Sequence, residues 1–351
     1  MPHVPAVSPT RRRILAAGAA LGLGALATAC GSDDKKDTAG STGNTGAPEA
    51  GSGNGPWSFK DDRGQTVTAK KTPKRIVAFI GSAAVLKDYG LDCVGVFGPT
   101  KTADGKADVQ AGDVAVDKVT IIGNEYGQFA IEKYAALQPE LLITNVYDDD
   151  ELWYVPADSK DKIVPLAPTA AIRVAKGAKM ADILARYTEL AASLGADVKA
   201  QKTVDAKARF EAAAEKLRQA VKANGGLKVL AASGSADLFY TSNPAQSADL
   251  QFFKELGVDF IVPDKLDPQG YFESLSWENA GKYRPDVIIL DNRSSALQPK
   301  DLAAKPTWNE LAAVKAGQVF PWASEPRFSY AGFAPVLEQL ADALGKAKKA
   351  A

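Results

Sequence analysis

Two stretches of this chain are copies of one pattern. Residues 129–144, FAIEKYAALQPELLIT, and residues 275–290, LSWENAGKYRPDVIIL, align without a gap. Glu132 falls on Glu278, Pro139 on Pro285, Glu140 on Asp286 and Ile143 on Ile289. In each copy a glutamate opens a helical stretch, a proline stops it, and an acid leads into an apolar strand. Proline stops a helix because it lacks the N–H and crowds the preceding turn. One such copy is common in α/β proteins; a gapless pair points to two similar lobes related by a pseudo-twofold.

The segment between the copies fits that reading. Residues 179–224 are rich in Ala, Lys, Glu, Leu and Arg and contain no proline. Ile183, Leu184, Tyr187, Leu190, Ala191 and Leu194 recur at helical spacing, and Val204, Ala208, Phe210, Leu217 and Val221 continue it. Gly195 is the single interruption, and Asn224-Gly225-Gly226 is a stop signal. About 40 helical residues in one unbroken helix span about 60 Å and make a strut between lobes. Strands are expected at 75–80, 93–97, 120–122, 140–144 and 163–166, and again at 228–232, 259–262, 286–290 and 318–322. Helices are expected near 83–89, 129–137, 248–256, 274–281, 308–315 and 332–346. The alternation argues α/β, two Rossmann-like lobes joined by a single long helix.

The chain divides accordingly into residues 1–29, 30–56, 57–178, 179–224 and 225–351. The first part is an address. Arg11-Arg12-Arg13 precedes an apolar Ala/Gly/Leu stretch, resembling a twin-arginine export signal, and Leu26-Ala27-Thr28-Ala29-Cys30 resembles a bacterial lipobox. Cys30 is then the lipidated first residue of the mature chain. Residues 31–55 hold no aromatic residue and no Val, Ile, Leu or Met. They cannot build a core and serve as a tether reaching about 25–30 Å. The expected location is the extracytoplasmic face of the cell membrane, through the lipid anchor alone.

Cleavage before Cys30 leaves 39 basic and 42 acidic residues and removes His3, the only histidine. A balanced charge gives no footprint for nucleic acid. A chain without histidine cannot run Ser-His-Asp or Cys-His catalysis, nor build a histidine-rich metal site. No disulfide can form, because lipidated Cys30 leaves Cys93 without a partner; Cys93 sits in an apolar run and reads as a buried, inert thiol. No Gly-x-Gly-x-x-Gly or Walker motif is present. The run Asp148-Asp149-Asp150-Glu151 reads as an acidic helix start.

Further stretches complete a resemblance. They are Pro73-Lys74-Arg75-Ile76-Val77, the run from Tyr89 to Val96 (YGLDCVGV) and the run from Pro306 to Phe320 (PTWNELAAVKAGQVF). With both repeat copies, residues 57 to 350 resemble the periplasmic binding proteins for iron-siderophores and vitamin B12 that feed ABC importers. The resemblance implies the helical-backbone (class III) fold, a monomer, ligand in the cleft between lobes, no enzymatic activity and no cofactor, the iron arriving already chelated. It also implies that Glu132 and Glu278 dock on arginines of the permease through charge-assisted pairs.

Ligands of open α/β sheets sit beyond the carboxyl ends of the strands. That rule and the aromatic content nominate Tyr126, Asn145, Tyr147, Trp153, Tyr240, Tyr271, Trp322 and Tyr330 as ligand-binding residues. Among arginines Arg327 leads, followed by Arg173 and Arg293, each able to donate to chelate oxygens. Trp277 and Trp308 fall inside helical motifs and read as core. No protein metal ligands are expected. Ferric hydroxamates, catecholates and mixed siderophores all suit such a cleft; cobalamin or haem on the same fold, and a sensor or exported enzyme without a permease, remain the alternatives.

Overall fold

The computed structural model describes residues 55–350. Cys30, the export signal and nearly all of the tether fall outside them. The described chain opens with an antiparallel hairpin that the sequence reading did not contain, β1 (Trp57–Lys60) and β2 (Thr66–Ala69). Trp57, Phe59 and Val67 face inward. Buried Asp61 accepts the backbone N–H of Arg63, Gln65 and Ala171, which fastens the hairpin to the first lobe.

That lobe is a five-stranded parallel sheet of β3 (Ile76–Phe79), β4 (Gly95–Phe97), β5 (Thr120–Gly123), β6 (Leu141–Val146) and β7 (Thr169–Arg173), in the order β5-β4-β3-β6-β7. β6 is buried at every position, as a central parallel strand with both faces covered must be. Its helices are α1 (Ile80–Asp88), α2 (Ile131–Ala136) and α3 (Lys160–Ile163). The strand expected at 163–166 is instead the end of α3 and a 3₁₀ turn over Val164–Leu166. Pro165 has no N–H to give a ladder, so the strand forms only after Pro168, at β7.

The segment 179–224 is two helices, α4 (Met180–Ser193) and α5 (Gln201–Ala223). Gly195 takes φ +95°, and the N–H groups of Gly195 and Ala196 close on the carbonyls of Ala192 and Ala191. That left-handed stop ends α4. A single helix still joins the lobes, but it is α5, about 35 Å long rather than 60. α4 packs on the first lobe through buried Ile183, Leu184, Tyr187 and Leu190.

The second lobe centres on β8 (Lys228–Gly234). It pairs with its hairpin partner β9 (Leu238–Ser242), with β12 (Val287–Asp291) and with the two-residue β10 (Asp259–Phe260) beyond α6 (Ala248–Glu255); β11 (Phe272–Ser276) lies outside β9 and β13 (Val319–Trp322) outside β12. β12, β13 and β10 run parallel to β8, while β9 runs against it. Short helices α7 (Pro299–Leu302), α8 (Pro306–Glu310) and α9 (Ala312–Lys315) lead into β13, and α10 (Tyr330–Lys346) lies along α5. Arg209 grips Glu338 with two bonds of 2.7 and 2.6 Å, and Lys216 meets Asp342 at 2.6 Å. The helix expected at 274–281 is β11 followed by a 3₁₀ turn, Trp277–Lys282. Glu273 and Leu275 alternate with outward residues there, a strand period rather than a helical one.

The repeated acids do the same work in both lobes. Glu140 accepts the N–H groups of Lys74 and Arg75, just ahead of β3. Asp286 accepts the N–H of Lys228, the first residue of β8. Each acid thus sets the register of the strand that begins beside its own.

Candidate ligand-binding cleft

A cavity of about 470 Å³ lies where the carboxyl ends of both sheets face one another. The first lobe contributes Tyr147 and Asp148 from the end of β6, Trp153, and Val174 and Ala175 from the end of β7. The second contributes Ser233 and Ser235 at the end of β8, Tyr240, Tyr271 and Phe272 from the β9/β11 pair, Asp291 and Arg293 from the end of β12, and Trp322, Ser324, Glu325, Pro326 and Phe328 from the end of β13 onward. Tyr147 and Trp153 pack at 4.6 Å between ring centroids. Across the gap, the Tyr271 hydroxyl donates to the Tyr147 carbonyl at 3.1 Å. Ser242, Ser247, Ser295 and Ser324 add hydroxyls around this aromatic frame.

Of the nominated residues, Tyr147, Trp153, Tyr240, Tyr271 and Trp322 line this cavity. Tyr126 stands outside it, 70% exposed, against Trp153 and Tyr154. Asn145 lies behind the wall, accepting from the Tyr187 hydroxyl within reach of Ser82. Arg173 turns to the Asp149 carbonyl and the Asp150 carboxylate. Tyr330 packs on Phe210. Arg327 points away to Asp88 and Asp113 in the first lobe. Asp148 to Glu151 form a turn with Asp149 at φ +42°, not a helix start. Trp308 is core; Trp277 is half-buried on Phe239 and donates to the Ser235 carbonyl. Cys93 is half-buried, and burial pushes its thiol up to about 12.

The arginine inside the cavity is Arg293. It bonds Asp291 at 2.7 Å and also Glu325. Burial works against its charge, but the carboxylates of Glu325 and Asp291 outweigh that and hold the guanidinium above its ordinary value. Glu325 reaches across the lobes as well, accepting from Gln110 Nε2 at 2.7 Å and Trp153 Nε1 at 3.2 Å. Asp249, in the first turn of α6, accepts from Trp322 Nε1 at 2.6 Å. Burial raises its pKa from 3.8 to about 7 despite that bond. The Tyr147 hydroxyl is buried without a partner among the described residues, and burial beside Glu325 holds it well above 10.

The strand-end rule, extended to β8 and β12, would have found Ser233, Ser235 and Asp291. Glu325, three residues beyond the end of β13, obeys the same rule. Asp249 carried no signal, because an acid in a first helical turn reads as a partner of the helix dipole. Among the described residues, no group of three or more His, Cys, Asp or Glu side chains could hold a bare metal ion.

Glu132 and Glu278 are exposed in the first turns of α2 and the Trp277–Lys282 turn. Each follows a strand, β5 or β11, whose carboxyl end lies on the cleft side of its sheet.

A family model described as periplasmic binding protein matches residues 78–326. The crystal structure of DesE, a ferric-siderophore receptor protein from Streptomyces coelicolor, is 54% identical and covers 84% of this chain and 100% of that one, with a TM-score of 0.81. The Fe(3+)-citrate-binding protein YfmC of Bacillus subtilis is 24% identical over 266 residues, 74% of this chain and 76% of that protein. The siderophore periplasmic binding protein from the fuscachelin gene cluster of Thermobifida fusca shares the fold at 20% identity and TM-score 0.55, over 78% of this chain and 96% of that one.

Proposed function

The chain belongs to the periplasmic binding protein family, and we propose that it captures a ferric siderophore between its lobes and delivers it to an ABC permease. The observation that carries this reading is the cavity itself. It opens between two sheets, is faced by five of the nominated aromatic residues, and is ringed with serine hydroxyls. Flat aromatic faces suit the apolar flank of a chelate, and hydroxyls suit its oxygen-rich surface. The 54% identity to a ferric-siderophore receptor supports the same ligand class.

The charges narrow that class. Three carboxylates line the cavity, those of Asp148, Asp291 and Glu325, together with Asp249, whose raised pKa leaves it partly protonated near neutral pH, against one guanidinium. Arg293 is shared by two of them, and Lys176 at the rim is paired with Asp148. No lining cation is left over for a highly anionic complex. A like-charge pair 6 Å apart costs about 3 kcal/mol at an effective dielectric of 20. The cleft therefore favours electroneutral or cationic ferric complexes, such as tris-hydroxamates, over trianionic catecholates.

In this reading Glu132 and Glu278 meet permease arginines on either side of the cleft mouth, and Cys30 holds the chain to the outer face of the membrane. Calorimetric titration with ferric hydroxamate, ferric catecholate and ferric citrate tests the ligand class. Sub-micromolar binding of the neutral complex supports it; preference for either anionic complex refutes the charge argument. Globomycin-sensitive processing at Cys30, or its absence, decides the anchor.

A further inference from the structure

We propose that Arg327 is a positioning residue rather than a ligand contact: it ties the cleft-lining segment Trp322–Phe328 to the first lobe and so sets where Glu325 and Phe328 stand. Its guanidinium Nη1 lies 3.1 Å from Asp88 Oδ1, at the end of α1, and 2.9 Å from Asp113 Oδ2. The two partners differ in kind. The Asp113 side chain is 75% exposed, so that pair contributes little. The Asp88 side chain is 7% exposed, and there the pair matters. A buried carboxylate left without its partner is costly.

The path of the arginine is built for it. A methyl group on Gly332 would stand 2.5 Å from Nε, and one on Gly112 would stand 2.7 Å from Nη1. Arg327 runs between two backbones that only glycine allows to come so close. Gly112 also adopts φ +51°, which glycine tolerates best.

Asp88 has a second task. It accepts from the Ser329 hydroxyl, while Ser329 Oγ caps α10 by accepting the Gly332 N–H at 2.9 Å. One first-lobe carboxylate thus holds both Arg327 and the start of α10, which packs along the connecting helix. Between them, Phe328 lies against Tyr187 of α4 with rings nearly parallel. Two residues before Arg327, Glu325 meets Gln110, Trp153 and Arg293. Fixing Arg327 fixes the stretch that carries both cleft residues.

The test has two arms. The first needs no ligand: amide hydrogen exchange of residues 322–329 in Arg327→Met, Arg327→Lys, Gly332→Ala and Asp113→Asn proteins. Arg327→Met and Gly332→Ala are expected to speed exchange there at least tenfold, Arg327→Lys less, and Asp113→Asn not at all. The second arm measures dissociation of a ferric tris-hydroxamate and rests on the siderophore reading. At least tenfold faster release is expected from the same two variants, with partial recovery in Arg327→Lys. Wild-type exchange in Arg327→Met overturns the proposal. So does a Gly332→Ala protein that exchanges faster yet keeps the ligand while Arg327→Met loses it, since Arg327 would then touch the ligand. If the wild type binds no ferric complex, the siderophore reading fails, and the exchange arm still decides the role of Arg327. Should Gly332→Ala not fold, Asp88→Asn replaces it with the same expected result.

Discussion

The indole N–H of Trp153, in the first lobe, donates to the Glu325 carboxylate of the second at 3.2 Å. With the Gln110 amide and the Arg293 guanidinium on the same carboxylate, this is a polar bridge across the cleft. Glu325→Gln keeps the shape and removes one negative charge. Hydrogen bonds to charged groups are worth about 1.5–3 kcal/mol, so a stability loss of about 2 kcal/mol is expected in urea unfolding. The same change should strengthen binding of a ferric catecholate relative to a ferric hydroxamate by about tenfold, a ratio corresponding to 1.4 kcal/mol. Titration of both ligands against wild type and variant checks the sign.

Asp249 makes stability depend on pH. Burial raises its pKa from 3.8 to about 7. Between about pH 4 and pH 7 the unfolded chain has lost this proton and the folded chain retains it, so stability falls as pH rises through that window. The contribution is complete below about pH 4 and gone above about pH 7, on the order of 4 kcal/mol in all. Asp249→Asn cannot titrate. The difference in unfolding free energy between wild type and variant, followed from pH 4 to 8, should change across that window and level off above it.

Charge reversal at both Glu132 and Glu278 is expected to abolish uptake of a radiolabelled ferric siderophore by cells while leaving its binding to the isolated protein within twofold. Uptake that survives the double change removes these residues from permease docking. Both side chains are exposed at helix-turn starts, so little effect on stability is expected.

Much of the fold was legible, for physical reasons that also explain the gaps. The two-lobe plan was visible because Glu132/Glu278, Pro139/Pro285 and Glu140/Asp286 repeat at fixed spacing. The acids proved to anchor neighbouring strands through backbone N–H groups. The helical region was visible in its periodicity, but Gly195 ended a helix there rather than merely weakening one. Short half-buried strands such as Trp57–Lys60 and Phe272–Ser276 offer only two inward residues each, too few to stand out. In the cleft, strand ends located the aromatic residues. They could not separate Arg293 from Arg327, because that depends on Asp88, which lies 241 residues before Ser329, the other residue it holds.

The most direct test of a ferric-siderophore cleft uses Trp153 and Trp322, which line it. Tryptophan fluorescence of the protein is followed during titration with a ferric tris-hydroxamate, its iron-free form and a ferric tris-catecholate, corrected for inner-filter absorption. Saturable quenching by the ferric hydroxamate below micromolar concentration, with far weaker response to the other two, is the predicted result. Equal quenching by the iron-free form, or no saturable response to any ferric complex, would contradict it.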